Sequence, residues 1–363
     1  MRRAAPALAA YTAVRLFVLL VLGVWVHRQG HGVWETLATE WDSNWYLGIA
    51  DHGYADRLGT AVNANNLAFF PLYPVLIKLV AAVTPGSRAS VGLALAVAAS
   101  YLAAWGIFAV GNRLHGRRTG VLLVFLWACL PVGLVQWMGY TESLFTAAVA
   151  WSLYAALTGR WIWAGALCAL AGLTRPTGIA LAAAIALCAL PGLRRRFCPR
   201  VLCGALLAPL GWLGYVGWVG LRLGRWDGYF AVQKLWFNEV DGGAETLRQF
   251  REILTAQTRP ELFLVMVTVS LIAAVVLFGL SVSDRQPLVL LLFTGALLAI
   301  VLGSGGVYFP RVRFLVPGFP LLLPPAVLLA RVSRRSLVLA VGGAVLGAAY
   351  CGGYMALVWT GAP

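Results

Sequence analysis

Long, uninterrupted apolar stretches constrain this chain more than any other feature of its sequence. Residues 91–111 and 336–359 are examples, and each could cross the roughly 30 Å hydrocarbon core of a bilayer as a helix. Of the 363 residues, 61% are hydrophobic and 11% are charged, whereas a soluble domain carries roughly 25% charged residues. The stretches do not alternate apolar and polar residues as the strands of a membrane barrel do. The sequence therefore predicts an all-α polytopic membrane protein.

About eleven spans are predicted from these apolar runs. They cover residues 8–26, 90–111, 120–138, 143–158, 161–174, 177–191, 201–221, 261–281, 287–303, 314–330 and 336–358. Two long segments remain between spans, 27–89 and 222–260, which we call the first and second outer segments. Long structured segments outside a bundle usually carry function. We expect one integral membrane domain over residues 1–363.

The distribution of charge predicts the orientation of the chain in the membrane. With Met1 in the cytoplasm, half of the 28 Lys and Arg residues fall in short cytoplasmic loops, including residues 2–3 and the segment 194–200. Of the 13 Asp and Glu residues, only Asp284 falls on that side. The net charge of +15 therefore indicates membrane orientation rather than a nucleic-acid partner. The assignment requires that residues 69–83, with two prolines and Lys78, form a re-entrant or interfacial helix.

Three other polar features have modest implications. Arg15 lies within the first predicted span and could snorkel or face the bundle interior. The six cysteines avoid the outer segments, so no disulfide framework is expected. His27 and His31 have a spacing that a metal would accept, but no HExxH motif accompanies them, so we predict no metal site.

The strongest constellation of polar and aromatic residues is WDSNWYLGIADHGY at 41–54. On a helix, Asp42, Trp45, Tyr46 and Ile49 would share one face. A carboxylate among aromatic side chains would be partly desolvated, which raises its pKa toward the range of a general base. The aromatic rings could stack on a sugar. Equally, they could form an interfacial belt around a solvated aspartate.

Together with AFFPLYPVLIKL at 68–79, this motif resembles the first lumenal loop of the PIG-V-type mannosyltransferases, the GPI mannosyltransferase II family. The segments 140–145, 174–178 and 313–320 are also similar to that family, so the resemblance extends over about 40–320. It implies a GT-C glycosyltransferase, a helical bundle that takes mannose from a polyprenyl-phosphate carrier on the outer face. The family's catalytic aspartate corresponds to Asp42. The resemblance does not imply that this chain uses the same acceptor as the family's eukaryotic members.

A polyprenyl-phosphate donor would need cations for its leaving phosphate. Our candidates are Arg175, Arg311 and Arg313, which lie at outer helix ends. Arg175 adjoins Pro176 between two short predicted spans, where a half-helix could break. Headgroup contact is the alternative for Arg311 and Arg313.

Further candidates could contact the sugar or the acceptor. Glu142 could be a second acid or an acceptor ligand, or it could simply favour a helix N-terminus behind Thr141. Gln233 and Trp236 could line a sugar subsite, or they could belong to an amphipathic helix lying on the membrane. The full predicted set of sugar- and acceptor-binding residues is Trp41, Trp45, Tyr46, Asp51, Tyr54, Glu142, Gln233 and Trp236.

These observations favour an inverting mannosyltransferase of the cytoplasmic membrane, with its N-terminus in the cytoplasm and its site on the extracytoplasmic face. Its expected partners are a polyprenyl-phosphate sugar, a lipid, glycan or protein acceptor, and membrane lipids, and no cofactor is required. A secondary transporter or lipid flippase is the alternative, although acids are almost absent from the span centres. A non-catalytic scaffold would have no obvious use for acids gathered on one face.

Overall fold

The computed structural model describes residues 3–195, 197–256 and 259–362, and within these ranges the chain contains helices and no β-strand. The first nine helices are α1 (Ala5–Gln29), α2 (Val33–Ala38), α3 (Asp42–His52), α4 (Leu72–Ala81), α5 (Arg88–His115), α6 (Arg117–Ala128), α7 (Glu142–Leu157), α8 (Trp161–Gly172) and α9 (Gly178–Arg195). The remaining nine are α10 (Pro199–Leu207), α11 (Leu210–Leu223), α12 (Gly228–Leu235), α13 (Ala244–Arg251), α14 (Leu262–Ser283), α15 (Leu288–Gly303), α16 (Arg311–Phe314), α17 (Leu323–Leu329) and α18 (Arg334–Leu357).

Within the described part of the chain, five helical segments are long and apolar enough to cross a bilayer: Ala5–Gln29, Arg88–His115, Pro199–Leu223, Leu262–Ser283 and Arg334–Leu357. Shorter apolar helices accompany them, α7, α8 and α15 among them. The predicted all-α polytopic membrane fold is therefore confirmed. Two of the basic residues assigned to the cytoplasmic side, Arg2 and Arg196, lie outside the described residues, as do 257 and 258 of the second outer segment.

Three of the predicted spans are interrupted near prolines. The span 120–138 ends as an α-helix at Ala128, three residues before Pro131, and continues as a 3₁₀ turn at Gly133–Trp137. The span 201–221 is divided between α10 and α11, where Pro209 cannot donate a backbone hydrogen bond. The span 314–330 contains a 3₁₀ turn, Phe319–Leu322, before α17. Periodicity alone did not predict these breaks.

Arg15 faces the bundle interior, and its side chain is fully buried. Its guanidinium donates hydrogen bonds to the backbone carbonyls of Ala128 and Gly133. These carbonyls lie at and just beyond the C-terminal end of α6, where helix carbonyls lack partners and carry partial negative charge. The bonds therefore stabilise the end of α6, after which the chain turns back and enters α7 at Glu142.

The two outer segments meet at one end of the bundle. In the first, α3 packs on α4, and α4 packs on α5. The 10 residues of α4 extend only about 15 Å, half of the hydrocarbon thickness, so α4 by itself is too short to cross a bilayer. The second segment contacts the first through Trp236, whose indole N–H donates to the carbonyl of Asn65 at 2.9 Å. It also contacts the loop after α15, where the backbone amide of Gly305 donates to the backbone carbonyl of Glu239 at 2.6 Å.

Candidate active site

A cavity of about 410 Å³ lies where the two outer segments meet the break between α8 and α9 and the loop that leads into α16. Its lining combines carboxylate, guanidinium, amide and aromatic groups. The residues that line it are Asp42, Trp45, Tyr46, Asn63, Ala68, Phe69, Phe70, Thr174, Arg175, Pro176, Gln233, Trp236, Asn238, Val307, Phe309, Pro310, Arg313, Phe314 and Ala362. Seven of the residues predicted from the sequence are among them: Asp42, Trp45, Tyr46, Arg175, Gln233, Trp236 and Arg313.

Asp42 is the first residue of α3, so its carboxylate lies at the positive end of the helix dipole. The preceding residue, Trp41, has φ 47°, a left-handed backbone conformation that is uncommon for a bulky side chain. This turn directs the chain into α3 at Asp42. The Asp42 Oδ2 atom lies 2.7 Å from Nη2 of Arg313, and the Asp42 side chain is 17% exposed. The carboxylate is therefore accessible from the cavity and also held by an ion pair.

Two carboxylates and two guanidinium groups form one buried cluster, which we call the charge quartet: Asp42, Glu142, Arg175 and Arg313. Oε1 of Glu142 pairs with Arg175 and lies 3.2 Å from Nε of Arg313. Burial alone would lower the pKa of Arg313, but the carboxylates of Asp42 and Glu142 outweigh this effect and raise it. Arg313 therefore stays charged throughout the physiological pH range. The formal charges of the two carboxylates and the two guanidinium groups cancel.

Thr141 joins α3, α7 and the break between α8 and α9. Its hydroxyl lies 3.1 Å from the phenol oxygen of Tyr46 and accepts a 3.1 Å hydrogen bond from Nη1 of Arg175. The pKa of Tyr46 is raised by burial, so the phenol stays neutral and its O–H remains available as a donor. The local folding of α7 thus fixes the direction of one of the two cavity arginines.

Aromatic rings form one wall of the cavity. Trp45 stacks on Phe69 with ring centroids 5.5 Å apart and an angle of 16° between the planes. Trp236 contacts both rings edge-on at 5.3 Å. The stiff aromatic segment that begins at Phe69 therefore supports the α3 face rather than only anchoring the chain in lipid. Such a wall can cover the apolar face of a sugar ring.

Side-chain amides line the cavity beside this wall. Gln233 donates to the hydroxyl of Tyr229 at 2.7 Å and accepts from Asn238 at 2.8 Å. These bonds orient the amide groups before any ligand binds. Amides carry both donors and acceptors, which suits the recognition of sugar hydroxyls.

Three residues predicted to contact the sugar or acceptor do not line the cavity. Trp41 instead packs against the main hydrophobic core of the bundle. Asp51 lies at the far end of α3, where its half-exposed carboxylate pairs with Arg88. Tyr54 donates its hydroxyl to the carbonyl of Phe69 at 3.0 Å and so stabilises the first outer segment. These contacts revise the predicted set, because sequence proximity to Asp42 did not bring the side chains to the same face.

Two charged residues of the predicted set also lie outside the cavity lining. Glu142 contacts both cavity arginines, but its side chain is only 1% exposed. Arg311 is buried, and it donates to the hydroxyl of Thr246 and to the carbonyl of Ser304 at 2.6 Å. Arg311 therefore holds the second outer segment against the loop before α16. Alternate residues on this short helix point in different directions, and only Arg313 reaches the cavity.

Several residues of the lining were not anticipated from the sequence: Asn63, Thr174, Asn238, Phe309 and Ala362. Thr174, Asn238 and Phe309 lie one or two residues from predicted site residues, so a wider search around each motif would have found them. The other two, Asn63 and Ala362, come from parts of the chain whose path depends on tertiary contacts. Among the residues that the structure describes, no group of three His, Cys, Asp or Glu side chains is placed to hold a metal ion.

Comparisons with known proteins address the class to which this fold belongs. The family described as dolichyl-phosphate-mannose-protein mannosyltransferase matches residues 70–212, which is less than half of the chain. No curated protein matches the chain.

Solved structures resemble the chain over nearly its whole length. ArnT from Cupriavidus metallidurans bound to undecaprenyl phosphate has a TM-score of 0.57 and 17% identity, and the match covers 92% of this chain and 62% of ArnT. The same protein in its apo state has a TM-score of 0.57 and 16% identity, with 93% and 63% covered. The oligosaccharyltransferase of Archaeoglobus fulgidus, tethered to an acceptor peptide, has a TM-score of 0.50 and 13% identity, with 97% and 56% covered.

The chain therefore shares the helical-bundle fold of ArnT and of the archaeal oligosaccharyltransferase, and its candidate site is a polar cavity at one end of that bundle. The chain spans less than two thirds of the length of the solved proteins that it resembles.

Proposed function

We propose that this chain is a membrane glycosyltransferase that transfers mannose from a polyprenyl-phosphate-mannose donor to an acceptor on the extracytoplasmic face. One observation carries the proposal. The carboxylate of Asp42 and the guanidinium groups of Arg175 and Arg313 converge on one cavity, beside a wall formed by Trp45 and Trp236. A base, a phosphate-binding pair and a sugar-stacking surface are the groups that this reaction needs.

In this proposal, Asp42 is the general base. Its carboxylate accepts the proton of the acceptor hydroxyl while the hydroxyl oxygen attacks C1 of the sugar. The bond between C1 and the phosphate oxygen breaks, and its electron pair stays on that oxygen. Attack from the face opposite the phosphate inverts the anomeric centre and requires no covalent intermediate with the enzyme.

The two arginines would stabilise the negative charge that develops on the leaving phosphate. Arg313 already forms an ion pair with Asp42, so its guanidinium would contact both the base and the phosphate. Arg175 contacts Glu142 and Thr141 instead, and we assign it as the principal phosphate ligand. The nearby ring of Phe314, 5.3 Å from the Arg175 guanidinium carbon, would limit the movement of this group.

The sugar and carrier are supported by likeness to other proteins. The assignment of mannose is supported by the motif at 41–54, which resembles the PIG-V-type mannosyltransferases, and by the mannosyltransferase family that matches residues 70–212. A polyprenyl-phosphate carrier agrees with the similarity to ArnT, whose structure is bound to undecaprenyl phosphate. Lipids, glycans and secreted proteins are all suitable acceptor classes.

The test uses membranes from cells that express the chain, incubated with radiolabelled polyprenyl-phosphate mannose. We expect the wild type to transfer label and Asp42→Asn to lose transfer by about 10²–10⁴-fold, the usual contribution of a general base. The labelled fraction, whether lipid, glycan or protein, identifies the acceptor class.

Asp56→Asn is the matched control, because Asp56 lies on the same outer segment but is 84% exposed and pairs with Arg222. It should transfer label as the wild type does at equal protein level. Undiminished transfer by Asp42→Asn would contradict its assignment as the base. If neither protein transfers label, but the wild type moves the intact carrier across the membrane, the flippase alternative would replace this proposal.

A further inference from the structure

Glu142 lies behind the two cavity arginines rather than in the cavity. Its side chain is 1% exposed, and its Oε1 atom contacts Arg175 on one side and Arg313 on the other. Both arginines line the cavity, whereas Glu142 does not. A substrate in the cavity would therefore contact the guanidinium groups and not this carboxylate.

This position excludes the direct roles expected for Glu142 from the sequence. A second acid or an acceptor ligand would have to reach the substrate, and the arginines separate Glu142 from it. The helix dipole favours an acidic residue at the start of α7, but an exposed carboxylate would interact with the dipole equally well. The dipole therefore does not explain why this carboxylate is buried and shared between two arginines.

The charges of the quartet act differently on the phosphate of the donor and on the phosphate of the released carrier. The donor is a phosphodiester with one negative charge, and the released carrier is a phosphomonoester with about −1.5 to −2 at pH 7. Two guanidinium groups alone would hold the released carrier more tightly than the donor. A fixed carboxylate behind them repels both species, and it repels the more highly charged product more strongly.

We propose that Glu142 is a positioning residue that holds Arg175 and Arg313 together as one phosphate-binding pair and weakens their hold on the released polyprenyl phosphate. The inference rests on the proposed function, since it concerns the product of that reaction. Glu142 thereby favours departure of the carrier after transfer.

The test measures binding by purified full-length protein in detergent, with undecaprenyl phosphate and the uncharged undecaprenol as probes. We expect Glu142→Gln to bind undecaprenyl phosphate about 10- to 100-fold more tightly than the wild type, the size of effect that one unit charge exerts at roughly 7 Å inside a protein. Binding of undecaprenol should not change. Glu252→Gln, which removes an ion-paired but more exposed carboxylate, should behave as the wild type.

A second comparison covers the case in which Glu142→Gln does not fold because a buried cation has lost its partner. The double variant Glu142→Gln/Arg175→Gln keeps the quartet neutral, whereas Arg175→Gln alone leaves it with a net negative charge. We expect the double variant to bind undecaprenyl phosphate at least 10-fold more tightly than Arg175→Gln. Equal or weaker binding after removal of Glu142, in either comparison, overturns the inference.

A different result is expected if the cavity is not a carrier-phosphate site, which the proposed function requires. In that case the wild type would bind undecaprenyl phosphate no better than undecaprenol. If the wild type prefers the phosphate and removal of Glu142 leaves its affinity unchanged, the carrier-binding site stands and only the role of Glu142 is wrong.

Discussion

At the scale of single residues, the geometry of Arg313 matters as much as its charge. Its guanidinium reaches Asp42 through Nη2 and Glu142 through Nε, so one side chain orients the proposed base and joins both carboxylates. The planar guanidinium spreads its N–H donors over a fixed fork, whereas the lysine ammonium places three donors on one compact charge and does not reproduce this geometry. Replacing Arg313 with lysine therefore changes the shape of the cationic group while keeping its charge.

We expect Arg313→Lys to reduce mannose transfer by about 10²–10³-fold, the typical cost of losing one group that stabilises developing charge. The melting temperature should fall only slightly, because the buried carboxylates keep a cation nearby. Transfer from radiolabelled donor and thermal unfolding of the purified protein measure the two effects. Arg248→Lys, in an exposed ion pair on α13, controls for the substitution itself. Near-normal transfer by Arg313→Lys would mean that charge alone suffices.

The sequence could predict those site residues whose chemistry is unusual for their position. Asp42 stands out among aromatic residues, and Arg175 stands out between two apolar runs. It could not tell Arg313 from Arg311, because both are arginines at the same predicted boundary. Only the turn of α16, and the hydroxyl of Thr246 from a distant part of the chain, determine which arginine faces the cavity.

At the scale of helices, close approaches through glycine set the packing that surrounds the site. On α11, a Cβ atom at Gly211 would clash with the carbonyl oxygen of Ala169 on α8. Gly214, one turn further along the same helix, has open space around it. The two glycines are indistinguishable in the sequence, where both lie in one apolar run. The sequence predicted that these residues lie in apolar helices. It did not predict which glycine contacts α8, because that depends on how α8 and α11 cross.

We expect Gly211→Ala to lower the stability of the protein by about 1–3 kcal/mol, because α8 and α11 must separate or shift to accept a methyl group. Gly214→Ala should leave stability unchanged or raise it by about 0.5–1 kcal/mol, as alanine favours helix more than glycine does. Thermal unfolding of both variants in the same detergent gives the comparison. Equal stability of the two variants would contradict the close contact between α8 and α11.

At the scale of the whole molecule, the fold was predictable because lipid imposes a simple rule on the backbone. Long apolar runs that do not alternate with polar residues must form helices, because the bilayer core offers no hydrogen-bond partners to the backbone. The cavity was not predictable in the same way, because its walls come from α3, α12, the break before α9 and the loop before α16. Asn63 of the first outer segment, for example, donates its backbone amide to the carbonyl of Leu235 in the second, so the two segments bring their lining residues together only after they have folded against each other.

The proposed orientation can be tested on intact cells with cysteines introduced one at a time into a background that lacks the exposed and partly exposed native cysteines: Cys129, Cys188, Cys198, Cys203 and Cys351. Asp56→Cys lies on the outer segment that carries α3, and Arg118→Cys lies at the start of α6, on the side assigned to the cytoplasm; both positions are exposed. We expect a membrane-impermeant maleimide to label Asp56→Cys in intact cells and Arg118→Cys only after the membrane is opened. The reverse pattern would put the cavity on the cytoplasmic face, where a carrier-linked sugar delivered to the outside could not reach Asp42. Labelling of both positions in intact cells would mean that the number of crossings between them is even, so that the segment 69–83 or α5 does not lie as proposed.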